Sequence, residues 1–183
     1  MRVTVEPYDP SWQRHFLKAK IELEQALSQV EYKGIEHVGS TSVPGLAAKP
    51  VIDIDIVVRQ QDFEKAIEAL KAAGYEYRGD MGIPDRYCFK RANPNPAQNI
   101  YVCLDGCLAL RNHLLVRDVC QRDDTIRDAY GQRKIELSKQ EWSSVDDYCM
   151  AKNDILAWIL SHGGMLVTET AQIRALNTVS QDE

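Results

Sequence analysis

The chain has 183 residues, 44% hydrophobic and 27% charged, with a formal net charge of −5. That is enough to bury a full core without covalent or metal staples, and no stretch approaches the roughly 18 apolar residues of a membrane-spanning helix. The acidic balance argues against general nucleic-acid binding but leaves room for a local basic groove.

In chain order, residues 2–6 alternate as a short strand, and Tyr8-Asp9-Pro10-Ser11 breaks it, with Asp9 or Ser11 placed to cap a helix to about Val30. Phe16, Ala19, Leu23 and Leu27 recur there at helical spacing. Residues 34–38 read as a strand that delivers the Gly39-Ser40 turn, followed by a loop of small residues with Pro44 and Gly45. The run Val51–Val58 is a buried strand, residues 62–73 a helix stopped by Gly74, and 75–78 and 86–91 strands around a Gly-Asp-Met-Gly loop. Asn93-Pro94-Asn95-Pro96 is a turn leading to a strand over 99–104. Helices are predicted over 108–122, 123–138 and 146–161, closed by Gly163-Gly164. The expected fold is α/β (α+β), a mixed sheet flanked by helices with a helical C-terminal part. Residues 1–163 form one domain, and 164–183 a tail that is either a loosely packed helix or disordered.

Chemistry concentrates in residues 37–58. In a strand, positions i and i+2 share a face, so Asp53 and Asp55 stand side by side while Ile52, Ile54 and Ile56 face the other way. Two such carboxylates repel unless a cation lies between them, and hard oxygen ligands suit Mg2+ (or Mn2+). The plain alternative is a half-buried strand with its acids in water. The apolar run around the pair favours coordination, because unpaired carboxylates are costly inside a sheet. Gly39 and Ser40 form a small turn whose backbone amides and hydroxyl can cradle an anion.

Residues 39–56, GSTSVPGLAAKPVIDIDI, resemble the signature of the GrpB (UPF0157) proteins, a family placed in the nucleotidyltransferase superfamily. Asn99-Ile100-Tyr101-Val102, Leu110-Arg111-Asn112-His113-Leu114 with Arg117-Asp118, and Tyr148 with Lys152 resemble later motifs of that family, so the resemblance covers roughly residues 1–160. It implies a nucleotidyltransferase core and metal-assisted transfer of a nucleotidyl group from a nucleoside triphosphate to an unknown small-molecule or macromolecular acceptor. On this reading Asp53 and Asp55 hold the metal, and Gly39, Ser40, Thr41 and Ser42 hold the phosphates. Two departures stand out. Asn99 and Tyr101 occupy positions where many members carry histidine, and a third carboxylate is missing from that strand. Asp80, Asp85, Asp105 and Asp118 are the acids that could fold in.

Other candidates carry two readings each. Lys49 either reaches a triphosphate or is solvated. Arg86 and Lys90 share a strand face, as a phosphate clamp or a wet surface. His113 is a base or a structural hydrogen-bonding group, Arg117 and Asp118 cross the site or pair with neighbouring helices, and His37 lies beside the glycine-serine turn. No GxSxG elbow supports a hydrolase triad, and Gly45 is not followed by the Lys-Ser/Thr of a Walker A loop. Five cysteines, at 88, 103, 107, 120 and 149, include no CxxC pair, and no second pair completes a zinc site around Cys103 and Cys107. Together with an N-terminus lacking a signal-peptide pattern, they point to reduced thiols in the cytoplasm. Two rival functions remain: a nucleotide- or metal-binding module without turnover, and a transferase using another activated donor, aminoacyl or acyl.

Overall fold

The structure, a computed structural model, describes residues 1–178. Its frame is a five-stranded mixed sheet in the order β1-β2-β5-β4-β3, formed by Gly34–Val38 (β1), Val51–Val58 (β2), Glu76–Tyr77 (β3), Arg86–Lys90 (β4) and Ala97–Leu104 (β5). Strands β2 and β5 run parallel, and every other neighbouring pair is antiparallel. The helices are Ser11–Ala26 (α1), Phe63–Ala72 (α2), Leu108–Arg122 (α3), Asp124–Ser138 (α4), Val145–Met150 (α5), Asn153–His162 (α6) and Val167–Thr178 (α7).

The period of two in β2 divides the molecule. Ile52, Ile54, Ile56 and Val58 are fully buried against α1 and α2, packing with Phe16, Leu23, Leu27, Phe63, Ile67 and Leu70, and with Phe89, Ile100 and Val102 of the neighbouring strands. Each such side chain contributes about 1.5–3 kcal/mol by leaving water. The opposite face carries Asp53 and Asp55 and is covered by α3 and the later helices. There Leu110 packs on Val57 and Cys103, while Val43 and Leu46 of the loop before β2 join Val119, Ile126, Tyr130 and Ile159.

Three stretches differ from the expectations of the sequence, and in a fourth, the tail, the helical alternative is the one taken. Residues 2–6 form no strand; a single antiparallel bridge joins Glu6 to Ala48, and Val3 is buried with Leu137 and Tyr148. The alternation there reflects packing on helices, not a sheet face. The helix predicted over 146–161 divides into α5 and α6 at Ala151 and Lys152, where the Lys152 amide bonds the Cys149 carbonyl in a tightened turn. The helix expected to reach Val30 stops at Ala26, although Leu27 still packs in the core. Residues 167–178 form a packed helix: Met165 and Ile173 fill a gap against Leu160, Leu115 and Val116, and Arg174 pairs with Asp154 at 2.7 Å. Residues 179–183 of the expected tail lie outside the described residues.

Candidate active site

Register arranges the aspartate face in two rows. Asp53 pairs with Val38 on one side and Asn99 on the other, and Asp55 with Glu36 and Tyr101. Asn99 Nδ2 donates to Asp53 Oδ1 at 2.8 Å, and Lys90 Nζ donates to Asn99 Oδ1 at 2.8 Å, so Lys90 reaches the acid only through the amide. Asp55 is fully buried; its Oδ2 lies 2.7 Å from His113 Nδ1, and its Oδ1 has no partner. Burial alone works against a charged His113, but the Asp55 carboxylate outweighs it and raises the imidazole above its ordinary pKa. His113 is therefore a cation beside Asp55 more readily than a base. Burial also raises the Asp53 carboxyl, against the Asn99 hydrogen bond.

Gly39 joins this pair to the cavity. Its φ of 68° is a left-handed conformation, and a methyl placed on it would overlap the Asp53 carboxylate. The turn after it is a short 3-10 segment over Ser40–Ser42. Ser42 Oγ donates to the Gly39 carbonyl at 2.6 Å, and Thr41 Oγ1 donates to the Val51 carbonyl at 3.0 Å. Both residues are buried, so these hydroxyls shape the turn and do not face a ligand.

Asp53 stands where two lobes of one cleft meet. The larger lobe, about 300 Å³, is lined by Gly39, Ser40, Lys49, Asp53, Asn99, Tyr101, His113, Lys134, Tyr148 and Lys152, with Val38, Val51, Val145 and Cys149. The smaller lobe, about 230 Å³, shares Gly39, Ser40, Asp53, His113, Cys149 and Lys152, and adds Val43, Leu46, Asn112, Val116, Arg117, Cys120, Tyr130, Leu156 and Asn177. Asp53 is the single carboxylate among the lining residues of either lobe. Asp105 pairs with Lys33, Asp118 with Arg117, Asp80 accepts the Gly82 amide and Asp85 lines a separate depression with Arg59, so none of the four acids lines the cleft. No group of three His, Cys, Asp or Glu side chains suited to a metal occurs among the described residues.

The other predicted residues separate by strand face. Arg86 and Lys90 do project on the aspartate side, but neither lines the cleft; the Arg86 guanidinium lies 4.3 Å over the Tyr101 ring and braces it. Arg117 bonds Glu36 and Asp118, and borders the smaller lobe. His37, paired with Ile54, faces the opposite core, stacked on Phe16 with ring centroids 4.6 Å apart. It is therefore removed from the site. Burial, with Arg117 nearby, lowers its pKa from 6.5 to about 4. A histidine more easily protonated in the unfolded chain adds stability above pH 6.5 that is lost as pH falls toward 4. Urea unfolding is expected to show about 2 kcal/mol less stability at pH 5 than at pH 7 from this group, and His37→Asn to flatten that slope; equal slopes would contradict the assignment.

Two further lysines, Lys134 and Lys152, reach the cleft from the C-terminal helices. Ile126, Tyr130, Lys134 and Leu137 lie on the buried side of α4, so a lysine interrupting an apolar stripe is the sequence signal that marks the first of them. Lys134 is 2% exposed, its Nζ has no hydrogen-bond partner and lies 4.2 Å over the Tyr130 ring. Burial, then Lys152, holds its pKa well below the ordinary value. Lys152, at the α5–α6 junction, lies 4.7 Å over the Tyr148 ring. Burial opposes its charge, but Tyr130, Cys149, Tyr148 and Asp53 together raise its pKa.

A mixed sheet with a glycine-serine turn before the aspartate strand is a nucleotidyltransferase-like fold. Cid1 poly(U) polymerase, in its complex with the short product ApU, aligns with a TM-score of 0.52 and 16% identity over 75% of this chain and 43% of its own; at that identity the likeness is one of fold. Within this fold class the chain belongs to the GrpB protein family, whose model matches residues 2–162. A UPF0157 protein of Streptomyces coelicolor is 34% identical over 166 residues, 90% of this chain and 86% of its own. The crystal structure of the conserved protein GrpB from Enterococcus faecalis aligns with a TM-score of 0.76 and 28% identity, over 87% of this chain and 96% of that one. No helix among the described residues is long and apolar enough to cross a membrane.

Proposed function

We propose that this protein binds a nucleoside triphosphate with a divalent metal and transfers its nucleotidyl group to an acceptor hydroxyl or amine. The observation that carries this reading is the position of Asp53, a carboxylate at the junction of two lobes and opposite a wall of lysines. Lys49, Lys134 and Lys152 line the larger lobe, which suits phosphate oxygens, and Val43, Leu46, Val116 and Leu156 in the smaller lobe suit the flat face of a base or an acceptor.

The residues fit Mg2+ (or Mn2+). Asp53 supplies a hard oxygen from the cleft; Asp55 shares its strand face but lies outside the cleft lining, and its orphaned Oδ1 is a buried acceptor that a cation held between the two would satisfy. They form no closed cage, which agrees with a metal that keeps substrate phosphates and water among its ligands. When bound, the metal would neutralise phosphate charge. The chain supplies the rest: His113 and Asn99 fix the two carboxylates, Ser40 and the Gly39 turn offer donors at the mouth, and the lysines orient the polyphosphate. Thr41, Ser42, Arg86 and Lys90 support this set from behind.

A second reading is favoured by Asn99 and Tyr101, which stand in register with the two aspartates without adding a third acid. In that case the site binds its nucleotide or metal without turnover. Lys152→Met tests the shared core of both readings. Loss of one charged hydrogen-bond donor costs about 1.5–3 kcal/mol, so triphosphate affinity is expected to fall roughly ten- to hundredfold. Unchanged affinity would exclude the lysine wall from phosphate binding.

A further inference from the structure

Outside the cleft, two cysteines lie close together at the junction of β5 and α3. Cys103 is the second-last residue of β5 and is fully buried; Cys107 precedes α3 and is half-buried. The chain between them makes a tight turn, with the Cys107 amide bonded to the Leu104 carbonyl at 3.0 Å and Gly106 at φ 76°. Both sulfurs belong to one packed cluster with Val57 and Leu110. The Cys107 sulfur caps the helix, accepting the Leu110 amide at 3.5 Å. An open depression lined by Arg59, Gln60, Asp85 and Asp105 gives solvent access to Cys107.

We propose that Cys103 and Cys107 form a peroxide-reactive dithiol, in which Cys107 attacks and Cys103 resolves the product as a disulfide. The neighbouring Cys103 thiol, and after it the backbone amides at the start of α3, favour the Cys107 thiolate and bring its pKa down to about 7, against burial and Asp85. Neighbouring Cys107, then burial, raises the Cys103 pKa, so Cys103 is not the first nucleophile. The oxidant is a hydroperoxide. The Cys107 thiolate attacks one peroxide oxygen; an S–O bond forms, the O–O bond breaks, the departing oxide takes a proton, and the sulfur gives up two electrons to the peroxide. The Cys103 sulfur then attacks the Cys107 sulfur. An S–S bond forms, the S–O bond breaks, and the Cys103 proton leaves with the hydroxyl as water. The disulfide ties the end of β5 to the start of α3, the helix that carries His113.

The tryptic peptide of residues 92–111 contains Cys103 and Cys107 and no other cysteine. After reduction, brief exposure of the full chain to hydrogen peroxide and alkylation, this peptide is expected two hydrogen masses lighter and unalkylated, with dithiothreitol restoring both alkylation sites. Cys149, the other half-buried thiol, should react roughly tenfold slower or less readily still. In Cys107→Ser, Cys103 should stay alkylatable; in Cys103→Ser, Cys107 should be trapped by dimedone as its sulfenic acid. The proposal is overturned if wild-type Cys107 oxidises no faster than Cys149, or if it proceeds to sulfinic acid while Cys103 remains free. The wild-type digest, read at peptides 92–111 and 140–152, separates these outcomes even if a variant fails to fold.

Discussion

Replacing Asp53 and Asp55 together by asparagine is expected to abolish magnesium-dependent nucleotide binding while the fold persists. Asparagine keeps the size of each side chain and can still meet Asn99 and His113, so the packing of β2 against its neighbours is retained. What disappears is the negative charge that attracts a hard cation, and a neutral amide oxygen is a much weaker magnesium ligand. Affinity in magnesium should fall by about two orders of magnitude or more, equivalent to roughly 3 kcal/mol, with the far-ultraviolet circular dichroism unchanged. Unaltered affinity in the double variant would remove the carboxylate pair from the site.

Gly39→Ala is expected to damage both stability and binding. At φ 68° an alanine loses about 1–2 kcal/mol to its conformation alone. The new methyl would also occupy the space of the Asp53 carboxylate, which must rotate away from Asn99 or push the turn outward. Together these effects predict a loss of about 3 kcal/mol or more in chemical unfolding. A control at Gly79, with φ 76° but nothing within 4 Å of an added methyl, should lose only the conformational part. Equal losses at the two glycines would show that contact with Asp53 does not matter.

The aspartate strand is legible in the sequence because a period of two fixes which residues share a face whatever lies around them. The same rule places Arg86 and Lys90 on that face, but a face is broader than a cleft: Lys90 ends on Asn99 and Arg86 on the Tyr101 ring. His37 follows the same period to the far side of the sheet, a consequence of its antiparallel pairing with Ile54, which the sequence does not state. Where hydroxyls point in the Ser40–Ser42 turn depends on carbonyls brought near by folding, so in sequence Thr41 and Ser42 are equivalent to Ser40. Lys134 and Lys152 come from helices more than 70 residues beyond β2, and only tertiary packing brings them to Asp53. The α5–α6 break is hidden because its residues keep helical dihedrals, and the polar sequence around it offers no glycine or proline to mark it.

The most direct test of the central claim is isothermal titration of the purified protein with the four nucleoside triphosphates, in magnesium and in chelator, with pyrophosphate release followed over hours. The expected result is binding that requires magnesium, accompanied by pyrophosphate once an acceptor is present. No binding of any triphosphate in magnesium would contradict it, and would assign the Asp53 cleft to a different ligand.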